Sequence, residues 1–364
     1  MKDTKKFGFV SNFKGIETVA LVPEMLDGIH ANQILNHQAE IEERLLYSNP
    51  IIATRIRGQT ETGDDVDGLF AFTTLTANQM LNLPLEIVMT KIKQAVLALA
   101  NSGCEVIGLG SLTGSALTGN GKRLMKWATE QDILLTSGNA FAAVGTVMTV
   151  EKIISQLGLQ PRNLTIGILG ATGSIGWGVS QDIAIKLGPS HLKLVSKTIG
   201  KLEELDDKVR SYCSTSISTQ INDLCDVDLL IVTTADAGSL VSREMPKSGM
   251  IIVDETQPSN VGPEFLSRKD VLVVDGAFIS TPRIDYGMNM DCPAGMIYAC
   301  MAQTMMLSLY GIDDHFDLGR VDYGLFPEVR NMAERYGMGL APLHSFSKPI
   351  TKERLDEFAL VCVS

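Results

Sequence analysis

Cysteines are few in this sequence and follow no recognisable spacing. None of the six belongs to a CxxC pair, and their separations are neither even nor close, so the pattern indicates no zinc site and no disulfide framework. We therefore predict no metal site and a reducing, cytoplasmic location. The six positions are Cys104, Cys213, Cys225, Cys292, Cys300 and Cys362.

The sequence also lacks an excess of positive charge and any long hydrophobic run. Its 42 Asp and Glu residues outnumber its 31 Lys and Arg residues, for a formal net charge of -11. This charge opposes non-specific binding to nucleic acid or to an anionic membrane, and we predict no nucleic-acid partner. No stretch approaches the roughly 20 apolar residues of a membrane span, and residues 1–22 lack the apolar segment of a secretory signal.

The first part of the chain alternates between helical and strand-like patterns. With 364 residues, the chain is long enough for two domains with separate cores. The alternation is typical of a parallel α/β layer, so residues 1–160 are predicted to form one α/β domain. The predicted elements are a helix at 85–99 behind Pro84, a strand at 105–109, a helix at 121–130, a strand at 133–136 and a helix at 140–157.

A second α/β domain is predicted from residue 161, after a connector at 160–163. Most of its strand candidates are continuous runs of Val, Ile and Leu, as expected for strands buried on both faces of a parallel sheet. The first of them runs directly into a glycine-rich turn. These strands are predicted at 164–169, 193–196, 228–234, 250–253 and 271–274.

The glycine-rich turn has the spacing and the context of a dinucleotide-binding loop. It follows a strand and opens a helix, where glycines permit a tight turn, close approach of backbone N–H groups to a pyrophosphate, and contact of helix with strand. The helix N-terminus attracts the anion. We predict that a dinucleotide binds at Gly170-Ala171-Thr172-Gly173-Ser174-Ile175-Gly176.

The segment about 20 residues beyond this turn favours NADP(H). An NAD enzyme places Asp or Glu there against the ribose 2′-hydroxyl, whereas this chain has Ser196, Lys197 and Thr198. These side chains could bind a 2′-phosphate that a carboxylate would repel. A solvated loop lysine is the alternative interpretation of Lys197. Thr234 and Ala235, at the end of the strand predicted at 228–234, complete the predicted NADPH site.

The C-terminal segment, residues 291–364, has helical patterns at 293–310 and 327–336 and a polar tail from residue 345. Cys300 lies in an apolar part of the first pattern, where a cysteine is usually a small buried residue. Its setting alone therefore does not identify it as a nucleophile.

The predicted fold class is α/β. A central doubly wound Rossmann-type NADP-binding domain, residues 161–290, is combined with an α/β substrate domain, residues 1–160. The C-terminal helices of residues 291–364 are predicted to pack on the substrate domain and complete it.

A short motif around the cysteine occurs together with the glycine-rich turn. It reads Tyr298-Ala299-Cys300-Met301-Ala302. Residues 135–139 are similar to a Thr-Thr-Gly-Asn segment, residues 108–113 to an Ala-Leu-Gly-Gly-Phe-Thr segment, and residues 315–320 to an Asn-Phe-Ser-Trp-Gly-Arg segment. In order and spacing, across roughly residues 70–340, these segments resemble the long-chain acyl-acyl-carrier-protein reductases.

The resemblance implies NADPH-dependent reduction of a long-chain acyl thioester to a fatty aldehyde. In that family a cysteine takes the acyl group from the carrier's phosphopantetheine thioester, and Cys300 occupies its place. A thiolate exchanges one thioester for another at little thermodynamic cost, which makes this chemistry reasonable. The implied partners are an acyl carrier protein or acyl-CoA, and an enzyme that consumes the aldehyde.

The residues before Cys300 differ from that family. Where the family has an Arg-Pro-Glu-Arg type segment, this chain has Cys292-Pro293-Ala294-Gly295, so no basic residue of this segment promotes a thiolate. If the helix begins at Pro293, Cys300 lies about two turns inside it, beyond the strong influence of the helix dipole. Cys292 is an alternative nucleophile, second to Cys300.

Ser137 and Asn139 are the other catalytic candidates. They lie on a predicted strand-to-helix turn, where they could polarise the thioester carbonyl or position the nicotinamide. Capping of the following helix is an equally good interpretation. The histidines have no characteristic spacing, and His315 is assigned no role.

Two other functions stay open at this point. One is an NADP-dependent carbonyl or imine dehydrogenase of the shikimate or amino-acid type, in which Cys300 only packs. The other is a non-catalytic cofactor-binding protein, which the altered segment before Cys300 suggests.

Overall fold

The computed structural model describes residues 5–26, 28–115, 121–234, 238–257, 259–276 and 278–363. Contacts divide the chain into two compact units, each built from several segments. The first unit contains Met1–Gly138, Thr281–Gly319 and Asn331–Met338. The second unit contains Asn139–Ser280, Arg320–Arg330 and Gly339–Ser364.

The strands are numbered in chain order. They are β1 (Phe7–Phe13), β2 (Ile51–Gln59), β3 (Asp65–Thr76), β4 (Val106–Leu109), β5 (Leu134–Thr136), β6 (Thr165–Leu169), β7 (His191–Val195), β8 (Ser214–Ser218), β9 (Leu229–Val232), β10 (Ile251–Asp254), β11 (Leu272–Asp275), β12 (Phe278–Ser280), β13 (Ile284–Asp285), β14 (Met296–Tyr298), β15 (His344–Ser345) and β16 (Lys348–Pro349).

The helices are numbered in the same way. They are α1 (Gln38–Tyr47), α2 (Ala77–Asn82), α3 (Leu85–Asn101), α4 (Leu112–Ser115), α5 (Gly121–Thr129), α6 (Asn139–Gln156), α7 (Ser174–Asp182), α8 (Ile199–Val209), α9 (Ala299–Tyr310), α10 (Phe326–Arg335) and α11 (Lys352–Val363). A π-helical turn, Ile183–Leu187, continues α7. Short 3-10 helices cover Ile16–Leu21, Pro23–Met25, Ala31–His37, Pro161–Asn163, Ile221–Leu224, Pro263–Ser267 and Tyr323–Leu325.

The first unit is built on a mixed sheet with the strand order β13-β2-β3-β1-β4-β5. Strands β3, β1, β4 and β5 run parallel, whereas β2 pairs antiparallel with β3 and with β13. Helix α3 packs on this sheet because its apolar positions fall on one face, and Val88, Ile92 and Val96 are buried there. Helix α9 packs on β4 and β1 of the same sheet. A C-terminal helix therefore completes the first unit, as predicted.

The second unit contains a fully parallel sheet with the strand order β8-β7-β6-β9-β10-β11. Counted along the chain from β6, this is the order 3-2-1-4-5-6 of the doubly wound dinucleotide-binding fold. Buried Val, Ile and Leu side chains fill the central strands β9 and β10. The predicted Rossmann-type fold class is confirmed.

The compact units do not coincide with the predicted domain bounds of 1–160, 161–290 and 291–364. Helix α6 belongs to the second unit because it packs on α7, although the sequence placed it in the first domain. The functional domain bounds stay a prediction, since compactness alone does not delimit them.

The C-terminal segment differs from its prediction at one helix start and contains a helix that was not predicted. The helix predicted at 293–310 begins only at Ala299, because Gly295 has a φ of +72° and Met296–Tyr298 is extended. The polar tail predicted from residue 345 contains a helix, Lys352–Val363, whose Phe358 is fully buried. The helix predicted at 327–336 is confirmed as α10.

No helix in the described ranges is long and apolar enough to cross a membrane. Within the same ranges, no three His, Cys, Asp or Glu side chains form a group able to hold a metal ion.

Candidate active site

The glycine-rich turn connects β6 to α7 in the second unit, as predicted. Gly170 has a φ of +88°, and a Cβ at this position would lie 2.9 Å from the backbone of Thr233. A Cβ on Gly176 would overlap the carbonyl oxygen of Gly170. Both glycines are therefore required by the backbone itself. Gly173 is the N-cap of α7 and makes no side-chain capping bond, which suits the start of this helix to an anion.

The sheet places this turn where a dinucleotide would bind. Strands β6 and β9 are neighbours at the centre of the sheet, the point at which the strand order reverses. Just beyond β9, the hydroxyl of Thr234 is buried without a hydrogen-bond partner among the described residues. Such an unsatisfied hydroxyl suits a site that a polar ligand completes. The predicted contact Ala235 lies outside the described residues.

The end of β7 lies against the glycine-rich turn. Strand β7 ends at Val195, so Ser196, Lys197 and Thr198 follow it directly. The hydroxyls of Thr172 and Ser196 are 2.6 Å apart, which joins the turn to this segment. Lys197 and Thr198 are exposed at the surface. The structure thus brings the predicted pyrophosphate and ribose segments together.

Asn139 contacts the start of α7 within the second unit. It is the first residue of α6, and its side-chain amide donates a 2.9 Å hydrogen bond to the hydroxyl of Ser174. Ser174 is the first residue of α7. The contact joins the starts of α6 and α7, and the predicted roles of Asn139 stay predictions.

Cys300 lies in the first turn of α9 in the first unit. The helix begins at Ala299, with Tyr298 as its N-cap, so Cys300 is the second helical residue. This position corrects the expectation that the cysteine lies two turns inside a helix. The start of a 12-residue helix carries a partial positive charge that stabilises a thiolate, and no acidic residue occupies this first turn. The cysteine is half-buried, so it is neither a core residue nor a fully solvated one.

Gly138 packs directly against Cys300. It has a φ of +72°, and a Cβ built on it would overlap the Cα and Cβ atoms of Cys300. Glycine is required here for both reasons, the backbone conformation and the close approach. Within α9, the hydroxyl of Thr304 donates a 3.0 Å hydrogen bond to the carbonyl oxygen of Cys300.

The environment of Cys292 favours a neutral thiol over a thiolate. The pKa of its thiol is raised to about 11, mainly by burial, although Lys14 lowers it in part and Asp291 adds a smaller increase. Its Sγ donates to the carbonyl oxygen of Met296 at 3.0 Å. A thiol held neutral in this way is a poor nucleophile, so this environment disfavours Cys292 in that role.

Ser137 makes contacts that the sequence did not predict. Its hydroxyl donates to the carbonyl oxygen of Asp317 at 2.8 Å, and its backbone N–H donates to the Asp317 carboxylate at 2.9 Å. The carboxylate also accepts hydrogen bonds from Thr136 and Gln303. Ser137 therefore anchors its turn, a role different from polarising a substrate carbonyl. The one sequence signal for Asp317 was its place in residues 315–320, where the family to which the chain is similar has serine.

His315 supports the end of β5. Its Nδ1 accepts the backbone N–H of Leu135 at 3.0 Å, and its Nε2 is 2.9 Å from the hydroxyl of Thr129. This pattern assigns a neutral ring with the proton on Nε2. The contacts give His315 a structural role, consistent with the absence of a predicted catalytic one.

Comparison with known sequences finds distant relatives, among them two with curated functions. The chain is 24% identical over 360 residues to the aminotransferase PigE of Serratia sp., a match that covers 96% of this chain and 41% of that protein. It is 22% identical over 281 residues to the long-chain acyl-[acyl-carrier-protein] reductase of Synechococcus elongatus, which covers 74% of this chain and 81% of that enzyme. The chain thus spans less than half the length of the first relative. No protein-family model matches it.

Solved structures are similar only at a low level. An Ael1 enzyme from Pseudomonas putida matches with a TM-score of 0.40 at 13% identity, covering 90% of this chain and 98% of that one. L-tryptophan dehydrogenase from Nostoc punctiforme matches with a TM-score of 0.38 at 12% identity, covering 98% and 88%. The strand order, and not these likenesses, establishes the fold.

The predicted residues therefore form two groups. The second unit contains the dinucleotide turn, the segment after β7, Thr234 and Asn139. The first unit contains Cys300, Ser137 and, unpredicted, Asp317. Gly138 and Asn139 are consecutive in the chain, and they contact Cys300 and the dinucleotide turn respectively.

Proposed function

We propose that this chain is an NADP(H)-dependent reductase that converts a long-chain acyl thioester to an aldehyde through an acyl-enzyme on Cys300. The observation that carries this proposal is the position of Cys300 at the start of α9, half-buried and packed against Gly138. The distant similarity to a long-chain acyl-[acyl-carrier-protein] reductase supports it.

The residues of the second unit fit NADPH. The first turn of α7 and the glycine-rich turn suit the pyrophosphate, while Ser196, Lys197 and Thr198 offer two hydroxyls and one cation to a 2′-phosphate. The bound cofactor would supply the hydride, so that thioester, NADPH and one proton yield aldehyde, thiol and NADP+.

The chain's own chemistry is thiol exchange at Cys300. Its thiolate attacks the carbonyl carbon of the substrate thioester, the new carbon–sulfur bond forms, and the substrate thiol leaves with a proton. After reduction of the acyl carbon, the bond to Cys300 breaks and returns the thiolate to the helix N-terminus, which stabilises its charge. We propose an acyl carrier protein or acyl-CoA as the substrate, and an aldehyde-consuming enzyme as the next partner.

The proposal is tested by intact-protein mass spectrometry. Wild-type protein is mixed with hexadecanoyl-CoA, or with the matching acyl carrier protein thioester, in the absence of NADPH. We expect a mass increase of one acyl group, and NADPH consumption with aldehyde formation once the cofactor is added. NADPH consumption with a ketone or an imine, but not with a thioester, would instead identify a carbonyl or imine dehydrogenase. Cofactor binding without any turnover would identify a non-catalytic protein.

Replacement of Ser196 by Asp is expected to reverse the cofactor preference. The new carboxylate would repel a 2′-phosphate and could accept hydrogen bonds from the ribose hydroxyls of NADH. We expect NADPH affinity to fall at least about tenfold and NADH affinity to rise. Fluorescence titration with both cofactors measures this change.

Ser190→Asp is the matched control for this change. Ser190 precedes β7 at the opposite end of the same strand, where its hydroxyl donates to the carbonyl oxygen of Leu164. This variant should bind both cofactors as the wild type does. Unchanged NADPH affinity in Ser196→Asp would show that the phosphate does not bind after β7.

A further inference from the structure

Asp317 is the centre of a hydrogen-bond network near Cys300. One carboxylate oxygen, Oδ1, accepts from the hydroxyl of Thr136 at 2.8 Å and from the N–H of Ser137 at 2.9 Å. The other, Oδ2, accepts from the side-chain amide of Gln303 at 2.9 Å. The same amide donates to Thr136 at 2.8 Å. Thr136 and Gln303 are fully buried, so these bonds are protected from water.

The network joins the turn that packs on Cys300 to the helix that carries Cys300. On one side are Thr136 and Ser137, which lead into Gly138, the residue packed on the cysteine. On the other side is Gln303, which lies one helical turn after Cys300 on α9. The segment of Asp317 is itself fixed to β5, because Phe316 forms a parallel bridge with Thr136.

We propose that Asp317 is a positioning residue for Cys300: its carboxylate holds the turn at residues 136–138 against the first turn of α9 and so keeps the thiol at the helix N-terminus. This inference rests on the proposed role of Cys300 as the nucleophile. Asp317 acts through the turn and the helix, and it need not touch the substrate.

The charge of Asp317 and its positioning of Cys300 have opposite effects on the pH at which Cys300 reacts. This difference makes the inference testable. A carboxylate near a thiol disfavours the thiolate, so loss of the negative charge alone would make Cys300 react at lower pH. Loss of the helix N-terminal position would make it react at higher pH. Replacement of Asp317 by Asn therefore distinguishes the two effects.

The test is the rate of Cys300 alkylation by iodoacetamide, followed across pH by peptide mass spectrometry. In Asp317→Asn, the remaining oxygen still accepts from Thr136 and Ser137. An N–H group replaces Oδ2, however, so two donors face each other and the hydrogen bond from Gln303 is lost. We expect the rate at neutral pH to fall roughly tenfold, because the thiolate loses the stabilisation of the helix N-terminus. The pH of half-maximal rate should rise.

Exchanging the hydrogen-bond donor at residue 303 with the acceptor at residue 317 should restore the rate of Cys300 alkylation. In Gln303→Glu alone, two carboxylates face each other, and we expect a similar loss. In the double variant Asp317→Asn with Gln303→Glu, the new amide donates to the new carboxylate and the net charge equals that of the wild type. We expect the double variant to recover at least half of the lost rate on a logarithmic scale, which is the coupling expected of two residues in one hydrogen-bond network.

Asp275→Asn is the matched control. The carboxylate of Asp275 accepts the backbone N–H groups of Phe346 and Ser347, in the other compact unit. This variant loses a comparable hydrogen bond and should leave Cys300 alkylation unchanged. The exposed Cys225 serves as an internal standard in every sample.

Several results would overturn the inference. They are an unchanged or faster Cys300 reaction in Asp317→Asn, a shift of its pH profile downward, or no recovery in the double variant. Faster labelling of the buried Cys104, both in Asp317→Asn and in the double variant, would show that Asp317 only supports the fold. Because alkylation needs neither thioester nor cofactor, a protein without thioester reductase activity can still give the expected pattern, so the two proposals fail separately.

Discussion

Cys300→Ala is expected to abolish thioester reduction and to leave NADPH binding nearly intact. The variant removes the sulfur that forms the acyl-enzyme, while the glycine-rich turn of the second unit is unaltered. We expect turnover to fall by at least roughly a thousandfold, the range seen when a covalent nucleophile is removed. NADPH consumption with a long-chain acyl thioester, the intact mass of the protein and fluorescence titration of the cofactor measure the three quantities.

Cys292→Ala is the control for this change. Cys292 precedes Cys300 by eight residues in the chain, but burial raises the pKa of its thiol to about 11. We expect the variant to form the acyl adduct and to turn over at close to the wild-type rate. An adduct that persists in Cys300→Ala and disappears in Cys292→Ala would show that Cys292, and not Cys300, is the nucleophile. Retained turnover in both variants would exclude the covalent route.

Gly138→Ala is expected to reduce turnover strongly, although it adds only a methyl group. The new Cβ would overlap the Cα and Cβ atoms of Cys300, and alanine is strained at a φ of +72°. Either the helix start at Ala299 or the turn must move, and a displacement of about 1 Å at a reactive group can cost about a hundredfold in rate. We expect a loss of this order in turnover, together with a destabilisation of roughly 1–3 kcal/mol. Single-turnover kinetics and urea unfolding measure these changes.

Gly103→Ala separates the clash from the backbone strain. Gly103 lies in the same unit, has a φ of +87°, and has no atom within 4 Å of the position where its Cβ would be. It follows the end of α3, so alanine there should cost about 1 kcal/mol of stability without moving Cys300. Equal losses of turnover in the two variants would mean that Gly138 matters only for stability.

The dinucleotide turn was predictable because its signal is local. A buried strand, Gly170, Gly173 and Gly176 at fixed spacing, and a helix start follow one another within about twelve residues. Each glycine has a reason in the backbone, such as the positive φ of Gly170. The absence of an acid after β7 was predictable for the same reason. The position to inspect is found by counting one helix and one strand onward from the turn.

The start of α9 was not predictable from the same kind of reasoning. Pro293 is a residue that commonly begins a helix, and the apolar pattern after it continues to Tyr310. In the structure Gly295 adopts a positive φ, the N–H of Thr281 donates to its carbonyl oxygen at 2.7 Å, and Met296–Tyr298 is extended. A contact between residues fourteen positions apart thus decided the conformation, and periodicity does not report such a contact.

The roles of Ser137 and Asp317 likewise depended on residues distant in the chain. Ser137 looks like a free hydroxyl on a turn, but its hydroxyl and its N–H both donate to Asp317, which lies 180 residues later. No local pattern connects the two positions, because only the alignment of residue 316 beside β5 brings them together.

The sequence by itself determined five of the six parallel strands of the second unit, all but β8, together with the dinucleotide turn and the hydroxyl and lysine side chains where an acid would select NAD. These features depend on interactions within one strand-turn-helix segment, which residue type and spacing report directly. The tertiary structure alone decided that Cys300 stands in the first turn of its helix, that Gly138 packs on it, and that Asp317 joins the turn to α9. Those outcomes depend on packing between segments far apart in sequence, where the burial of one segment sets the backbone conformation of the other.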